Sequence, residues 1–235
     1  RQPVGVAQSL PPRMRGNWLR ARRWLLSRSK FPEPMNSLLS SPMPHPSAAI
    51  EDVEFVALDI ETTGLDAATA DMLSVGWVII RGGRIVLDTA ETWVVRPSGD
   101  VGDSASVHGL TDTVVGAGHD WGVVLDKIVK VLTGRVLLVH HAGLDFTLLG
   151  RMCLRRFGSR LVVPHVDTLG LELRRKNRHH DIESQQSLRL SDLRDHYGLP
   201  RYAAHDCLVD AIATAELLLA IVAHRKSLTL GDLLR

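Results

Sequence analysis

FVALDIETTG, residues 55–64, is the stretch on which the reading of this chain turns. Phe55, Val56, Ala57 and Leu58 are followed by Asp59, Ile60 and Glu61, and then by the turn-forming Thr62, Thr63 and Gly64. A short apolar run rich in strand formers and halted in this way predicts a buried strand over 54–60. Strand side chains alternate, so Asp59 and Glu61 leave the same face at its end. Two acids held that close repel each other unless a cation joins them.

Further strand-like runs cover 72–81 and 84–95, with Gly82 and Gly83 between them as a hairpin turn. A loop containing Gly99, Gly102 and Gly109 precedes a helical pattern over 120–132, where Val123, Val124, Ile128, Val129 and Leu132 recur at helical spacing. Gly134 ends that helix, and the run 135–140 has the character of a fourth, buried strand. The remaining pattern predicts a helix over 144–157, a fifth strand over 160–166, and helices over 168–176, 190–197 and 206–223. Strands first and then alternating helix and strand imply an α/β fold, a mixed five-stranded sheet flanked by helices.

With 235 residues, 45% hydrophobic and 23% charged, the chain is long enough for one sizeable core. Two cysteines, Cys153 and Cys207, cannot make a disulfide framework, and no apolar run approaches the length of a membrane span. A cytoplasmic protein with no transmembrane segment and no signal peptide is expected.

The net charge of +2 conceals an asymmetry. Residues 1–50 carry eight Arg or Lys against one acid, a net of +7, and the other residues carry 20 basic against 25 acidic groups, a net of −5. The first 50 residues are also rich in proline and serine, so residues 1–50 are expected to be a basic extension and linker outside the core, and 51–235 the catalytic domain. Trp18, Leu19, Trp24, Leu25 and Leu26 alternate there with Arg20, Arg22, Arg23 and Arg28, a pattern for a short basic amphipathic helix facing a membrane surface, nucleic acid or a partner protein, or packed on the core.

Three more residues fall at element ends. Asp145 follows the strand through His140, His141, Ala142, Gly143 and Leu144, in the first turn of the next helix, while His205 and Asp210 flank the start of the last long helix. Four carboxylates with a histidine beside the last suit two hard divalent cations, Mg²⁺ or Mn²⁺, which can orient a water and stabilise a leaving oxygen in phosphodiester hydrolysis. His205 is the candidate for removing the proton from that water. The cysteines lie outside the cluster, and its oxygen-rich set favours harder ions than zinc.

DIETTG at 59–64, HHAGLD at 140–145 and HDCLVD at 205–210 resemble the three motifs of the DEDDh, or DnaQ-like, 3′–5′ exonucleases. His108, Gly109, Leu110 and Thr111 resemble that family's HGIT loop, Asp167 and Thr168 its DT step, and Ser187, Leu188, Leu193, Tyr197 and Gly198 its spacing before the last motif. The resemblance spans about 53–222 and is strong because the motifs occur together and in order. It implies an RNase H-like fold and release of nucleoside 5′-monophosphates from a single-stranded 3′ end. Asp59, Glu61, Asp145 and Asp210 become the metal-binding acids and His205 the general base. Thr62, Thr63, Gly64 and Leu65 become contacts to the terminal nucleotide, with His108 and His141 near it.

Two positions depart from the family pattern: His141 stands where Asn is usual, and Leu144 where Phe is usual. Asp206, directly after His205, is given no catalytic role. The resemblance is most like the proofreading epsilon subunits of bacterial DNA polymerase III, which implies DNA proofreading or repair. RNA trimming by the same chemistry and a non-catalytic nucleic-acid-binding module remain open. Because 25 residues follow Asp210, attachment to a polymerase or another replication or repair protein is expected through the basic N-terminal arm.

Overall fold

The computed structural model describes residues 12–96, 117–178, 187–203, 205–225 and 228–234. In chain order these form α1 (Pro12–Ser27), α2 (Met35–Ser40), β1 (Phe55–Thr62), β2 (Met72–Arg81), β3 (Arg84–Val94), α3 (Trp121–Val131) and β4 (Val136–Val139). They continue as α4 (Ala142–Phe157), β5 (His165–Asp167), α5 (Thr168–Arg178), α6 (Leu190–His196), α7 (Cys207–Ala223) and α8 (Leu230–Leu233).

Alternation along β1 creates two apolar layers. Val56, Leu58 and Ile60 join Val124, Leu125 and Ile128 of α3 and Leu148, Leu149 and Met152 of α4 in one core. Phe55 and Ala57 join Ala215 and Leu218 of α7 and Leu230 and Leu233 of α8 in the other. The strand order is β3-β2-β1-β4-β5, with β1 antiparallel to β2 and parallel to β4. This is the mixed five-stranded sheet expected from the pattern, and Gly82 and Gly83, with φ of 59° and 68°, make its hairpin turn in a conformation that favours glycine.

Two expectations are corrected. The fifth strand was expected over 160–166, but β5 is only His165–Asp167, because Leu161, Val162 and Val163 are buried as a connecting segment before Pro164, which has no amide hydrogen to pair. More consequentially, the described part of the first 50 residues does not lie outside the core. Met35, Leu38 and Leu39 recur at helical spacing between two prolines, and α2 buries all three against the layer of α3 and α4. Each such burial is worth about 1.5–3 kcal/mol. Arg23 of α1 is buried too and donates hydrogen bonds to the carbonyls of Val162 (3.2 Å), Leu38 and Ser41 (2.7 Å). Farther on, Ala49 pairs with Thr229, and Leu230 and Gly231 donate to Ala48 and Pro46, so 46–50 is stitched to the C-terminal helix. Proline density had suggested a linker, but the apolar spacing between the prolines decides the packing.

Candidate active site

Asp59 and Glu61 extend the odd-numbered face of β1, the face that Phe55 and Ala57 turn toward α7. A register shift between Glu61 and Thr62 ends the regular ladder there. Bulges of this kind re-aim the chain beside functional sites. From the facing helix comes Asp210, in the first turn of α7. Ligand oxygens of Asp59, Glu61 and Asp210 all lie within 4.8 Å of one another. Asp145 enters from the first turn of α4 and is buried. It stands apart from that tight trio but within electrostatic reach of Asp59 and Glu61.

Mutual repulsion marks the whole group. Burial, and then the charges of Asp145, Glu61 and Asp210, push the Asp59 carboxyl well above its ordinary range. Burial, and then Asp167 and Glu61, push Asp145 up to about 7. Asp210 is raised by burial and partly restored by the His205 amide, which donates to its Oδ2 at 3.0 Å. An all-oxygen, negatively charged donor set that resists ionisation by itself fits hard divalent cations.

His205 sits in the loop that enters α7, exposed, with φ of 71°. That left-handed backbone resolves the five-residue spacing to Asp210, because the chain turns back over the helix start instead of following its pitch. Asp206 instead caps α7, accepting from the amides of Leu208 (3.0 Å) and Val209 (3.1 Å). His141 also has positive φ, 72°, at the N-cap of α4. Asn and His are among the side chains that tolerate this conformation best, which accounts for histidine at a position where asparagine is usual.

The loop after β1 is held from within and from behind. Thr62 is buried and donates from its hydroxyl to the Gly64 carbonyl at 2.7 Å. Thr63 exchanges hydrogen bonds with the backbone of Asp71, while Leu65 is 94% exposed and so available to a ligand. His108 lies outside the described residues, as do the loop glycines Gly99, Gly102 and Gly109.

A family model described as Exonuclease, RNase_T, matches residues 56–218, well over half of the chain. The chain belongs to the DnaQ-like exonuclease family. A PolC-type DNA polymerase III of Thermotoga maritima is 28% identical over 183 residues, 77% of this chain but 13% of that protein. An epsilon-like DNA polymerase III subunit protein of Rhodobacter capsulatus is 29% identical over 177 residues, covering 74% of this chain and 24% of that one. Among solved structures, E. coli exonuclease I in a zinc-bound complex with single-stranded DNA aligns with a TM-score of 0.61 at 16% identity, over 74% of this chain and 41% of that one. Exonuclease I of Methylocaldum szegediense aligns with a TM-score of 0.62 at 18% identity, over the same shares. The chain therefore spans a small part of these polymerases and under half of the exonuclease I chains, and the latter establish the exonuclease, RNase H-like fold.

Of two residues that support the family's motifs, Gly76 escaped the sequence reading and Asp167 entered it as a motif match alone. Gly76 lies opposite Asp59 in β2, and a Cβ there would sit 2.4 Å from the Leu208 amide nitrogen and 2.6 Å from the Cys207 carbonyl carbon. The absence of a side chain lets α7 approach the sheet closely enough to bring Asp210 to Asp59. A glycine inside a strand is the signal that would have found it. Asp167, noted only as a motif match, accepts from the amides of His141 (2.9 Å), Ala142 (3.2 Å) and Leu169 (3.0 Å), and so fixes the start of the helix that carries Asp145. Gly76→Ala is expected to cost about 1–3 kcal/mol by overpacking. It should also lower turnover about 100-fold if Asp210 moves by about 1 Å. Denaturant titration and single-turnover rates, taken together, check both.

Proposed function

We propose that this chain is a metal-dependent 3′–5′ exonuclease that hydrolyses single-stranded ends, with DNA as its expected polymer, and releases nucleoside 5′-monophosphates. The close trio of Asp59, Glu61 and Asp210 carries this reading, set in a fold and family of exonucleases. The polymerase III relatives and the exonuclease I complexes with single-stranded DNA favour DNA over RNA.

In this reading Asp59, Glu61, Asp145 and Asp210 hold two Mg²⁺ or Mn²⁺ ions. When bound, such ions neutralise the phosphate and stabilise the leaving oxygen. His205 removes the proton from the attacking water, and the hydrogen bond from its own amide to Asp210 keeps it at the mouth of the acid cluster. Thr62, Thr63 and Gly64 offer backbone to the terminal sugar and phosphate, Leu65 lies against its base, and His108 and His141 border the same nucleotide. Asp167 holds the start of the Asp145 helix in place through the amides of His141 and Ala142.

Trp24 and Leu25, both exposed on α1, are where we place attachment to a DNA polymerase or another replication or repair protein in the cytoplasm. Among the described residues, no helix is long and apolar enough to cross a membrane.

Digestion of 5′-labelled single-stranded DNA and RNA, with Mn²⁺ and with chelator, tests the reading. Stepwise shortening from the 3′ end of DNA in Mn²⁺ alone is expected. Faster shortening of RNA would make the chain a trimming enzyme, and binding without cleavage in Mn²⁺ would make it a non-catalytic module.

A further inference from the structure

The loop that delivers His205 is clasped by a buried cation. Arg194, in α6, is 3% exposed. Its Nη1 donates to the Ala213 carbonyl of α7 at 2.8 Å, and its Nη2 to the Pro200 carbonyl of the loop at 2.7 Å. The Glu216 carboxylate of α7 stands 2.8 Å from Nη2 and completes an ion pair. Tyr202 closes the clasp from outside. Its ring lies over the guanidinium, with Cζ 4.5 Å from the ring centre, and its hydroxyl donates to Glu216 Oε1 at 2.9 Å. One guanidinium thus joins α6, α7 and the segment 200–202.

The clasp lies just upstream of a strained residue. Tyr202 is held on α7 and Asp206 caps the same helix, so three residues bridge two fixed points. His205 is the last of them, and a non-glycine residue keeps a φ of 71° only where its surroundings over-determine it. Packing alone does not call for arginine at 194. Helix α6 already meets α7 through Leu193, which clusters with Leu217 and Ile221. Taking a charge out of water is costly, and an apolar side chain of similar volume would avoid that cost. What the guanidinium adds is direction. Its planar fork fixes two carbonyls and a carboxylate at once, which neither an apolar group nor the point charge of lysine reproduces.

We propose that Arg194, together with Tyr202 and Glu216, is a positioning residue for His205. The clasp fixes the loop from behind, so that the His205 amide stays on Asp210 Oδ2 and its imidazole stays at the mouth of the acid cluster. The inference rests on the exonuclease reading and deepens it by assigning what places the base. Arg194 acts through the loop, not on the reacting atoms.

Arg194→Lys keeps the charge and removes the fork. If His205 moves by about 1 Å, kcat on a single-stranded DNA oligonucleotide in Mn²⁺ should fall about 100-fold. KM and Mn²⁺ affinity should stay within a few-fold. In a His205→Gly background with imidazole in the buffer, the same substitution should leave turnover unchanged, because no tethered base remains to be displaced. Amide hydrogen exchange, followed by NMR in chelator, should quicken at His205 and stay unchanged at Leu208 and Val209, whose amides the Asp206 cap holds. Tyr202→Leu, at a position 44% exposed, opens the clasp without stranding a buried charge and should give a smaller loss with the same dependence on His205. It carries both measurements should Arg194→Lys fail to fold. Unchanged kcat, an equal loss in both backgrounds, or exchange that quickens equally at all three amides would overturn the inference. If wild type cleaves nothing in Mn²⁺ while quickened exchange remains confined to His205, the clasp stands and the nuclease reading falls.

Discussion

Asp59→Asn is expected to abolish divalent-metal-dependent release of mononucleotides while making the metal-free protein more stable. The two effects have one cause. Asp59 stands between Asp145, Glu61 and Asp210, all of which raise its carboxyl, so its charge is unfavourable until a cation arrives. Removing the charge relieves that repulsion and also removes a ligand. Loss of several kcal/mol of transition-state stabilisation corresponds to a fall in turnover of about a thousandfold or more.

The pH dependence of metal-free stability follows from the same repulsion. Asp145 is raised to about 7 from an ordinary 3.8, so between those values the folded state holds a proton that the unfolded state has released. Stability is therefore full below the lower value and is lost as pH rises toward the upper one. Asp59 shifts in the same direction and adds to the loss. Thermal melts at several pH values, with chelator and with Mg²⁺, check this: wild type should be least stable near and above neutrality without metal, and Mg²⁺ should raise its midpoint far more than that of the variant. Undiminished hydrolysis by Asp59→Asn would remove the acid pair from the site.

The second large effect is expected at His205. Its φ of 71° makes alanine a poor probe there, since any side chain but glycine pays for that backbone. His205→Gly removes the imidazole and relaxes the backbone at once, leaving the amide that donates to Asp210. Turnover should fall by about 10²–10⁴ if the imidazole is the base. Imidazole added to the buffer should restore part of it, while Mn²⁺ affinity, followed by titration calorimetry, stays within a few-fold. A matching loss of metal affinity, with no rescue, would make His205 a positioning residue for Asp210.

The placement of the acid pair at the β1 end was legible because periodicity is a local property. Period-two alternation placed Asp59 and Glu61 on one face whatever the rest of the chain did, and the turn residues Thr62, Thr63 and Gly64 marked where that face opens. Element ends likewise located Asp145, Asp210 and His205, and strands followed by alternating helix and strand predicted the mixed sheet. The N-terminal segment misled because prolines speak to local backbone, whereas the burial of Met35, Leu38 and Leu39 depends on an apolar surface built by α3 and α4. His108 belongs to the legible motifs but not to the described residues.

By itself, then, the sequence determined which side chains are proposed for the chemistry, the sheet that presents the acid pair and the family to which the chain belongs. Only the tertiary structure decided how those side chains meet. Gly76 admits α7 to the sheet, Asp167 pins the Asp145 helix, and the left-handed turn at His205 folds it back onto Asp210. The first two depend on close approach between segments distant in sequence and the third on a positive φ at a non-glycine residue, and local patterning carries no information about either.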